Sequence, residues 1–249
     1  MDLIYTWTGR QIRARYQQSL LGWLWAVAQP VAQVAIFSLV FTKIIPVDTG
    51  GVPYVLFSYV AIAPWTFLSA ALTDMTGSVV ENMMLVSKIY FRREVLPISA
   101  MLARLIDFLV AMAMVVVLVA IYRVPVQPMR LLLLPVIFLI QIALVTGMGL
   151  VCAAVNTFLR DVRPLLVLVL QVWFYASPIL YPVERVPANL KAIYVLNPVV
   201  GIIEGYRAVW VNGDIAVEYI VSAAVIALVW LVAGLLVFRR SEALFADVI

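Results

Sequence analysis

Hydrophobic residues along this chain gather in six long runs, which short polar stretches separate. The runs cover residues 21–45, 54–72, 96–122, 131–155, 162–181 and 219–238. Each run is near the length of about 20 residues that a helix needs to cross a bilayer. The pattern predicts an all-α, polytopic membrane protein with six transmembrane helices, formed by residues 1–249 as a single domain.

Two stretches outside these runs have patterns of their own. In a helix over the first residues, one narrow face collects Tyr5, Ile12, Tyr16 and Leu20. An amphipathic helix that lies in the membrane interface is therefore predicted near the start of the chain. Residues 182–214 are apolar but contain several prolines. This combination favours either two half-helices that re-enter the outer leaflet or an outer-surface loop packed on the bundle.

A third stretch, residues 76–97, is too apolar for an ordinary loop and too charged to cross a bilayer. Its charged residues are Glu81, Lys88, Arg92, Arg93 and Glu94. They surround methionine, leucine, isoleucine and aromatic side chains, a mixture that is typical of a segment at the membrane surface. Such a segment contacts lipid headgroups or another protein.

Composition agrees with a membrane location, because 65% of the 249 residues are hydrophobic and only 12% are charged. The net charge of +4 comes from basic residues that flank the runs, so it indicates membrane orientation and not nucleic-acid binding. One side is predicted to carry Arg10, Arg13, Arg15, Lys88, Arg92, Arg93, Arg160, Arg163, Arg239 and Arg240. The positive-inside rule places that side, with both termini, in the cytoplasm.

Some polar and small residues inside the runs are predicted to have structural roles. Arg104 and Asp107 are three residues apart on one helix face and are expected to form an ion pair. Ala143 and Gly147 have the small-xxx-small spacing of closely packed helices. The single cysteine, Cys152, lies in an apolar run, so no intrachain disulfide is possible and a packing role is predicted.

Other residues are candidates for a translocation path. Gln29 and Gln33 stand one turn apart, and they either line a path or bond to a neighbouring helix. Aromatic residues near the outer end of the fifth run are Trp173, Phe174, Tyr175 and Tyr181. They form either an interfacial belt or a surface on which sugar rings stack. Tyr175 and Tyr181 are predicted to face the path ahead of Trp173.

Several absences narrow the function. The sequence has no histidine, which excludes a histidine-based metal site, catalytic triad or proton relay. No GxxxxGK[ST] phosphate loop occurs, so an ATP-driven role requires a second subunit. An enzyme that acts on lipid-linked sugars and a secondary carrier are the alternatives from other classes. The enzyme would need a cluster of Asp, Glu or His, and the carrier would need broken helices in two related halves.

Four passages resemble a known family, the membrane-spanning permeases of type-2 ABC exporters that move polysaccharides such as O-antigen, capsular polymer or teichoic acid. They are RQIRARYQQSLLGWLWAVAQP (10–30), VSKIYFRREVLP (86–97), NTFLRDVRP (156–164) and SPILYP with LNP (177–182 and 196–198). The resemblance covers essentially the whole chain in the order of the family. Arg93 departs from it, because the commoner form has proline at this position.

The resemblance implies a homodimer in the bacterial inner membrane, paired with two copies of a nucleotide-binding ATPase that holds ATP and Mg. The chain itself would carry no catalytic residue, metal or cofactor. Its ATPase-coupling residues would be Glu81, Met84, Leu85, Lys88, Tyr90, Arg92 and Arg93. Its interface-helix residues would be Arg10, Arg13, Arg15 and Tyr16. The cargo would be a lipid-linked glycan that passes Gln29, Gln33, Tyr175 and Tyr181 on its way out of the cytoplasm.

Overall fold

The computed structural model describes residues 2–16, 24–44, 46–88 and 91–246, and these form helices and connecting turns without a β-strand. The helices are α1 (Asp2–Tyr16), α2 (Trp25–Leu39), α3 (Tyr54–Glu81), α4 (Met83–Lys88), α5 (Val95–Tyr122), α6 (Leu133–Phe158), α7 (Val162–Tyr175), α8 (Lys191–Val195), α9 (Pro198–Trp210) and α10 (Val217–Ser241). A π-helical turn, Val40–Ile44, extends α2, and a 3-10 turn, Glu242–Ala246, follows α10. The predicted all-α class is confirmed for this part of the chain.

Four helical segments are long and apolar enough to cross a membrane. They are Tyr54–Glu81, Val95–Tyr122, Pro128–Phe158 and Val217–Phe245. The other two predicted spans are represented by the shorter apolar helices Ala28–Ile44 and Val162–Tyr175. Four of the six predicted spans therefore have the length and composition of a membrane span, and the count of six stays a prediction. The beginning of the first run lies outside the described residues.

The helices connect two opposite ends of the bundle. One end, the terminal face, comprises α1, α4, residues 91–94 and 159–161, and the turn Glu242–Ala246. The other, the loop face, comprises residues 46–53, 123–132 and 176–216. Contacts across each face define it: Arg163 pairs with Glu81 on the terminal face, whereas the Tyr54 hydroxyl donates to the Leu180 carbonyl on the loop face.

Helix α3 forms the centre of the bundle and packs against α2, α5, α6, α7 and α9. Its polar residues Ser58, Thr76 and Ser78 are buried, and each hydroxyl donates to a carbonyl three or four residues earlier in the same helix. Because each hydroxyl is satisfied locally, α3 can be buried on all sides without unpaired polar side chains at these positions.

Helices α6 and α10 approach each other closely at Gly147 and Gly234. A Cβ atom at Gly147 would overlap the backbone of Trp230, and one at Gly234 would overlap the backbone of Gly147. The predicted close packing at Gly147 is confirmed. Cys152 is half-buried against the core, as its predicted packing role requires.

The predicted surface segment, residues 76–97, is shorter in the structure. Helix α3 continues to Glu81 instead of ending at residue 72, and α5 begins at Val95. Asp74 therefore lies within α3, and its carboxylate pairs with Arg104 of α5, with a shortest nitrogen–oxygen distance of 2.6 Å. This partner removes the cost of placing a lone carboxylate in the helix bundle.

The stretch between α7 and α10 contains two short helices, α8 and α9, on either side of Asn197, as one of the two alternatives requires. The Asn197 side chain accepts a hydrogen bond from the backbone N–H of Val199 at 3.1 Å and so caps the start of α9. All residues of α9 are buried, whereas no residue of α8 is. The stretch is therefore helical and, over α9, buried in the bundle, while its re-entry into the outer leaflet stays a prediction.

Candidate functional site

The short helix α4 on the terminal face is held on one side and open on the other. Val86 is buried and Leu85 packs against the core, whereas Met84 is 77% exposed. The helix also lies against the turn Glu242–Ala246. It therefore presents an apolar side chain to any molecule that covers the terminal face.

Residues 91–94, here called the linker, lie between α4 and α5. Two of them, Arg92 and Glu94, form an ion-pair network with Arg239 of α10. Arg92 Nη2 lies 2.9 Å from Glu94 Oε2, and Arg239 Nε of α10 lies 3.0 Å from Glu94 Oε1. Glu94 is buried, while both arginine side chains are largely exposed. Sequence reasoning placed Arg92 in this region but did not identify Arg239 as a partner of Glu94, because 145 residues separate the two.

Arg93 turns toward the C-terminal turn of the described chain. It donates a hydrogen bond from Nη1 to the carbonyl of Glu242, and its guanidinium carbon lies 5.9 Å from the centre of the Phe245 ring. Phe245 is itself fully buried between Phe158 and Phe238, with ring centres 5.8 and 5.4 Å away. Arg93 thus helps to hold the linker against the ends of α6 and α10.

Glu81, the last residue of α3, pairs with Arg163 at the start of α7, with 2.6 Å between Oε1 and Nη1. Both side chains are about half exposed. Gly77 leaves room for this pair, since a Cβ there would lie 2.8 Å from Glu81 Oε1. The predicted coupling residue Glu81 therefore already has a partner within the chain.

Helix α1 lies beside α5 at the terminal face. Trp7 is buried, and the guanidinium of Arg10 lies 4.8 Å from the centre of its ring. Arg13 is exposed and donates to the carbonyl of Gly9. Tyr5 of the predicted apolar face is exposed and does not pack on the bundle. The predicted residues Leu20 and Tyr90 lie outside the described part of the chain. For Arg15, Tyr16 and Lys88 the structure describes the helix but not the side chain.

A groove of about 310 Å³ runs between α2, α3 and α7. Two of the predicted path residues, Gln33 and Tyr175, line it together. Two further polar residues in the groove, Ser69 and Gln171, were not predicted. The signal for Gln171 was available, because it precedes Tyr175 by one helical turn in an otherwise apolar run.

Gln29 lies apart from this groove, although it is one turn from Gln33. It lines a small cavity of about 50 Å³ together with Arg104 and Asp107. The predicted ion pair between Arg104 and Asp107 is present at 3.5 Å, but the contact with Asp74 is closer and involves both carboxylate oxygens. The structure thus brings Gln29 to a charged cluster between α3 and α5.

The aromatic residues at the end of α7 point in different directions. Tyr175 is 61% exposed, whereas Phe174 is buried with its ring centre 5.9 Å from that of Phe37. Trp173 donates its indole N–H to Asn197 at 2.9 Å. Of these three rings, Tyr175 is the most exposed, and its place in the path ahead of Trp173 stays a prediction.

Tyr181, the other predicted path residue, lies beyond α7 and is half-buried. Its hydroxyl lies 2.6 Å from the Tyr194 hydroxyl and 3.3 Å from the Tyr175 carbonyl. Burial and the hydrogen bond with Tyr194 both raise the pKa of Tyr181 above its ordinary value. The hydroxyl consequently stays protonated, and both of its hydrogen-bond contacts lie within the chain.

Arg207 of α9 was missed by sequence reasoning, although it is the largest fully buried side chain that the structure describes. Its Nη1 lies 2.8 Å from Glu204 Oε1 and donates to the Pro178 carbonyl at 2.7 Å, while Nη2 donates to the Ile179 carbonyl at 2.9 Å. The guanidinium also lies 3.7 Å from the centre of the Phe57 ring. Arg207 therefore fixes the chain that follows α7 onto α9 and α3.

Among the described residues, no group of three or more His, Cys, Asp or Glu side chains is arranged to hold a metal ion. The terminal face and the α2–α7 groove both expose a mixture of apolar and polar side chains. Such surfaces suit contact with another protein, with lipid or with a polar polymer.

Comparison with known proteins gives consistent results. Residues 2–211 match the ABC-2 type transporter family. The chain is 27% identical over 248 residues to an O-antigen export system permease protein RfbA of Klebsiella pneumoniae, covering 100% of this chain and 95% of that one. It is 27% identical over 245 residues to the RfbA of Myxococcus xanthus, with 96% and 93% covered. It is 25% identical over 241 residues to the polysialic acid transport protein KpsM of Escherichia coli, with 94% and 91% covered.

Proposed function

The chain belongs to the ABC-2 type transporter family, and from that premise we propose that it is the membrane permease of an ATP-driven polysaccharide exporter. It is a multi-pass membrane protein and a transport subunit, not an enzyme, and its family normally works with an ATPase subunit. The observation that carries the proposal is similarity over nearly the full length to permeases named for O-antigen export and polysialic acid transport.

In the proposed arrangement the protein lies in the bacterial inner membrane with six crossings and with both termini in the cytoplasm. The charge of the terminal face supports this orientation under the positive-inside rule. Described basic residues on or next to that face are Arg10, Arg13, Arg92, Arg93, Arg160, Arg163, Arg239 and Arg240. The nucleotide-binding subunit, which would hold ATP and Mg, would then meet α4 and α1 on the cytoplasmic side.

The path for the cargo would run between two copies of the chain. Six helices are few to enclose a polymer, and the α2–α7 groove with Gln33 and Tyr175 is open on the side of the subunit. A lipid-linked glycan would enter from the cytoplasmic leaflet, and the groove would present amide and phenol groups to its hydroxyls. The half-helices α8 and α9 would lie at the outer end of this path.

The test of this function is the docking of α4 on an ATPase. Replacing Met84 by aspartate should weaken binding of the proposed ATPase subunit by about tenfold, because an exposed apolar contact becomes a desolvated charge. Export of polymer should fall while insertion into the membrane remains normal. The single substitution is sharper than one that also changes Leu85, since Leu85 packs against the core.

The matched control is Met129→Asp, because Met129 is 78% exposed on the loop face. It should leave both ATPase binding and export unchanged. Co-purification measures the first quantity, and detection of polymer at the cell surface measures the second. Full ATPase binding and export by Met84→Asp would contradict the proposed role of α4.

A further inference from the structure

The linker after α4 is tied to the far end of the chain by charge. We propose that Glu94 is a positioning residue that couples movement of α4 to α10 through its ion pair with Arg239. This proposal rests on the proposed function, because it assumes that an ATPase moves α4. It adds a route by which that movement reaches a transmembrane helix other than α3 and α5, the two that flank α4 in sequence.

The geometry at Glu94 is suited to such a link. One carboxylate oxygen lies 2.9 Å from Arg92 in the linker, and the other lies 3.0 Å from Arg239 in α10. The two oxygens thus bind one arginine on each side of a joint, the contact between residues 91–94 and the end of α10. Only 10% of the Glu94 side chain is exposed, so little water competes for these bonds. The Arg239 side chain is 59% exposed and can release the pair without leaving a buried charge on its own side.

A second set of contacts reinforces the same joint. Arg93 donates to the Glu242 carbonyl, and α4 itself lies against the turn Glu242–Ala246. Phe245 in that turn is fully buried against Phe238 of α10. A displacement of α4 therefore pushes on the end of α10 through packing as well as through charge.

Helix α10 extends from this joint to the loop face. Near its other end, a Cβ at Gly201 of α9 would overlap the carbonyl of Tyr219 in α10, and the Ser222 hydroxyl donates to the Val195 carbonyl of α8. In between, Gly147 brings the backbone of α6 against α10. A helix packed this closely moves as a rigid body. A displacement of α10 at Arg239 therefore also displaces the parts of α8 and α9 that contact its other end.

The test uses the complete chain in complex with its ATPase. Three variants are compared: Glu94→Gln, Arg239→Gln and the double variant. Glutamine keeps the size of Glu94, which protects its packing while removing its charge. Arg240→Gln is the matched control, because Arg240 is the exposed neighbour of Arg239 on the same helix. The measured quantity is polymer delivered to the cell surface divided by the ATPase rate of the purified complex.

Each single variant should lower this ratio about fivefold, the factor that corresponds to about 1 kcal/mol for an ion pair. The double variant should lower it no further than Glu94→Gln alone, because that change already breaks the pair with Arg239. Arg240→Gln should leave the ratio unchanged. Losses that multiply in the double variant would overturn the proposal, and so would an unchanged ratio with less folded protein, which indicates a structural role only.

The outcomes also separate this proposal from the function on which it rests. If the wild-type chain does not assemble with the ATPase, the proposed function fails and the role of Glu94 fails with it. If the wild-type complex exports polymer and Glu94→Gln does so with the same ratio, only the role of Glu94 is overturned.

Discussion

Helices α7 and α9 are nearly equal in length, with 14 and 13 residues, yet the fold places them in opposite environments. All of α9 is buried, including the charged residues Glu204 and Arg207. In α7 only Leu166, Leu170 and Phe174 are buried, and the exposed residues include Leu165, Val167, Leu168, Val169 and Val172. A helix with charges lies inside and an apolar helix lies outside, the reverse of a water-soluble protein.

The difference shows how each helix is stabilised. Inside the bundle, both terminal nitrogens of Arg207 donate to acceptors of its own chain, so the charge in α9 is held without a partner molecule. The outer face of α7 has no such need for polar partners but requires lipid or a second copy of the chain to cover it. We therefore regard α9 as part of the scaffold and α7 as a contact surface.

The largest effect is expected when the buried charge pair of α9 is broken. Arg207→Ala should destabilise the protein by about 3–5 kcal/mol, because it leaves the buried Glu204 carboxylate without its partner. Thermal unfolding of the purified protein in detergent, followed by tryptophan fluorescence, measures the loss. Arg185→Ala is the control, since Arg185 and Arg207 line one cavity of about 470 Å³ and Arg185 is exposed. Equal unfolding temperatures for the two variants would refute the scaffold role of α9.

The next effect tests the exposed side. Replacing Leu168 and Val172 of α7 together by asparagine should weaken self-association about tenfold, because both side chains lie on the proposed contact surface. The control replaces Val225 and Val229 of α10, which have the same spacing and are also exposed. Native mass spectrometry reports the fraction of dimer. If the α7 and α10 variants dissociate to the same extent, α7 is not a specific contact surface.

The smallest effect concerns the aromatic residues next to α7. Either single change, Tyr175→Ala or Tyr181→Ala, should lower glycan-stimulated ATPase activity by about fivefold, since stacking on one ring contributes about 1 kcal/mol. Basal ATPase activity and the amount of protein in the membrane should stay near normal. Tyr122→Ala, which removes an exposed ring at the end of α5, is the control. An unchanged glycan response with reduced protein would support the interfacial belt instead.

The sequence was sufficient for the positions of most helices, because apolar runs mark them directly. The run at 96–122 differs by one residue from the observed start of α5 at Val95. The limits of α3 and α7 were less accurate, since charged and aromatic residues near a helix end do not show where the helix stops. α7 ends at Tyr175 and not at residue 181, because the chain turns there to meet Arg207.

The contacts of the candidate sites depended on residues far apart in sequence. Local spacing was enough to predict the Arg104–Asp107 pair, but the closer partner, Asp74, is 30 residues away. Arg207 is three residues from Glu204, yet the carbonyls that it binds lie on another segment. Periodicity contains no information on such partners. The roles predicted for Met84, Arg92, Gln33 and Tyr175 in coupling and transport therefore remain predictions that the experiments above address.

The contact between Gly147 and Gly234 also limits how this protein can vary over evolution. Any other amino acid at either position would bring a Cβ atom into the backbone of the facing helix. All missense changes in a glycine codon introduce such an atom, so only the synonymous changes at the third base leave this contact intact. The distance between two helices thus requires these two codons of the gene to keep encoding glycine.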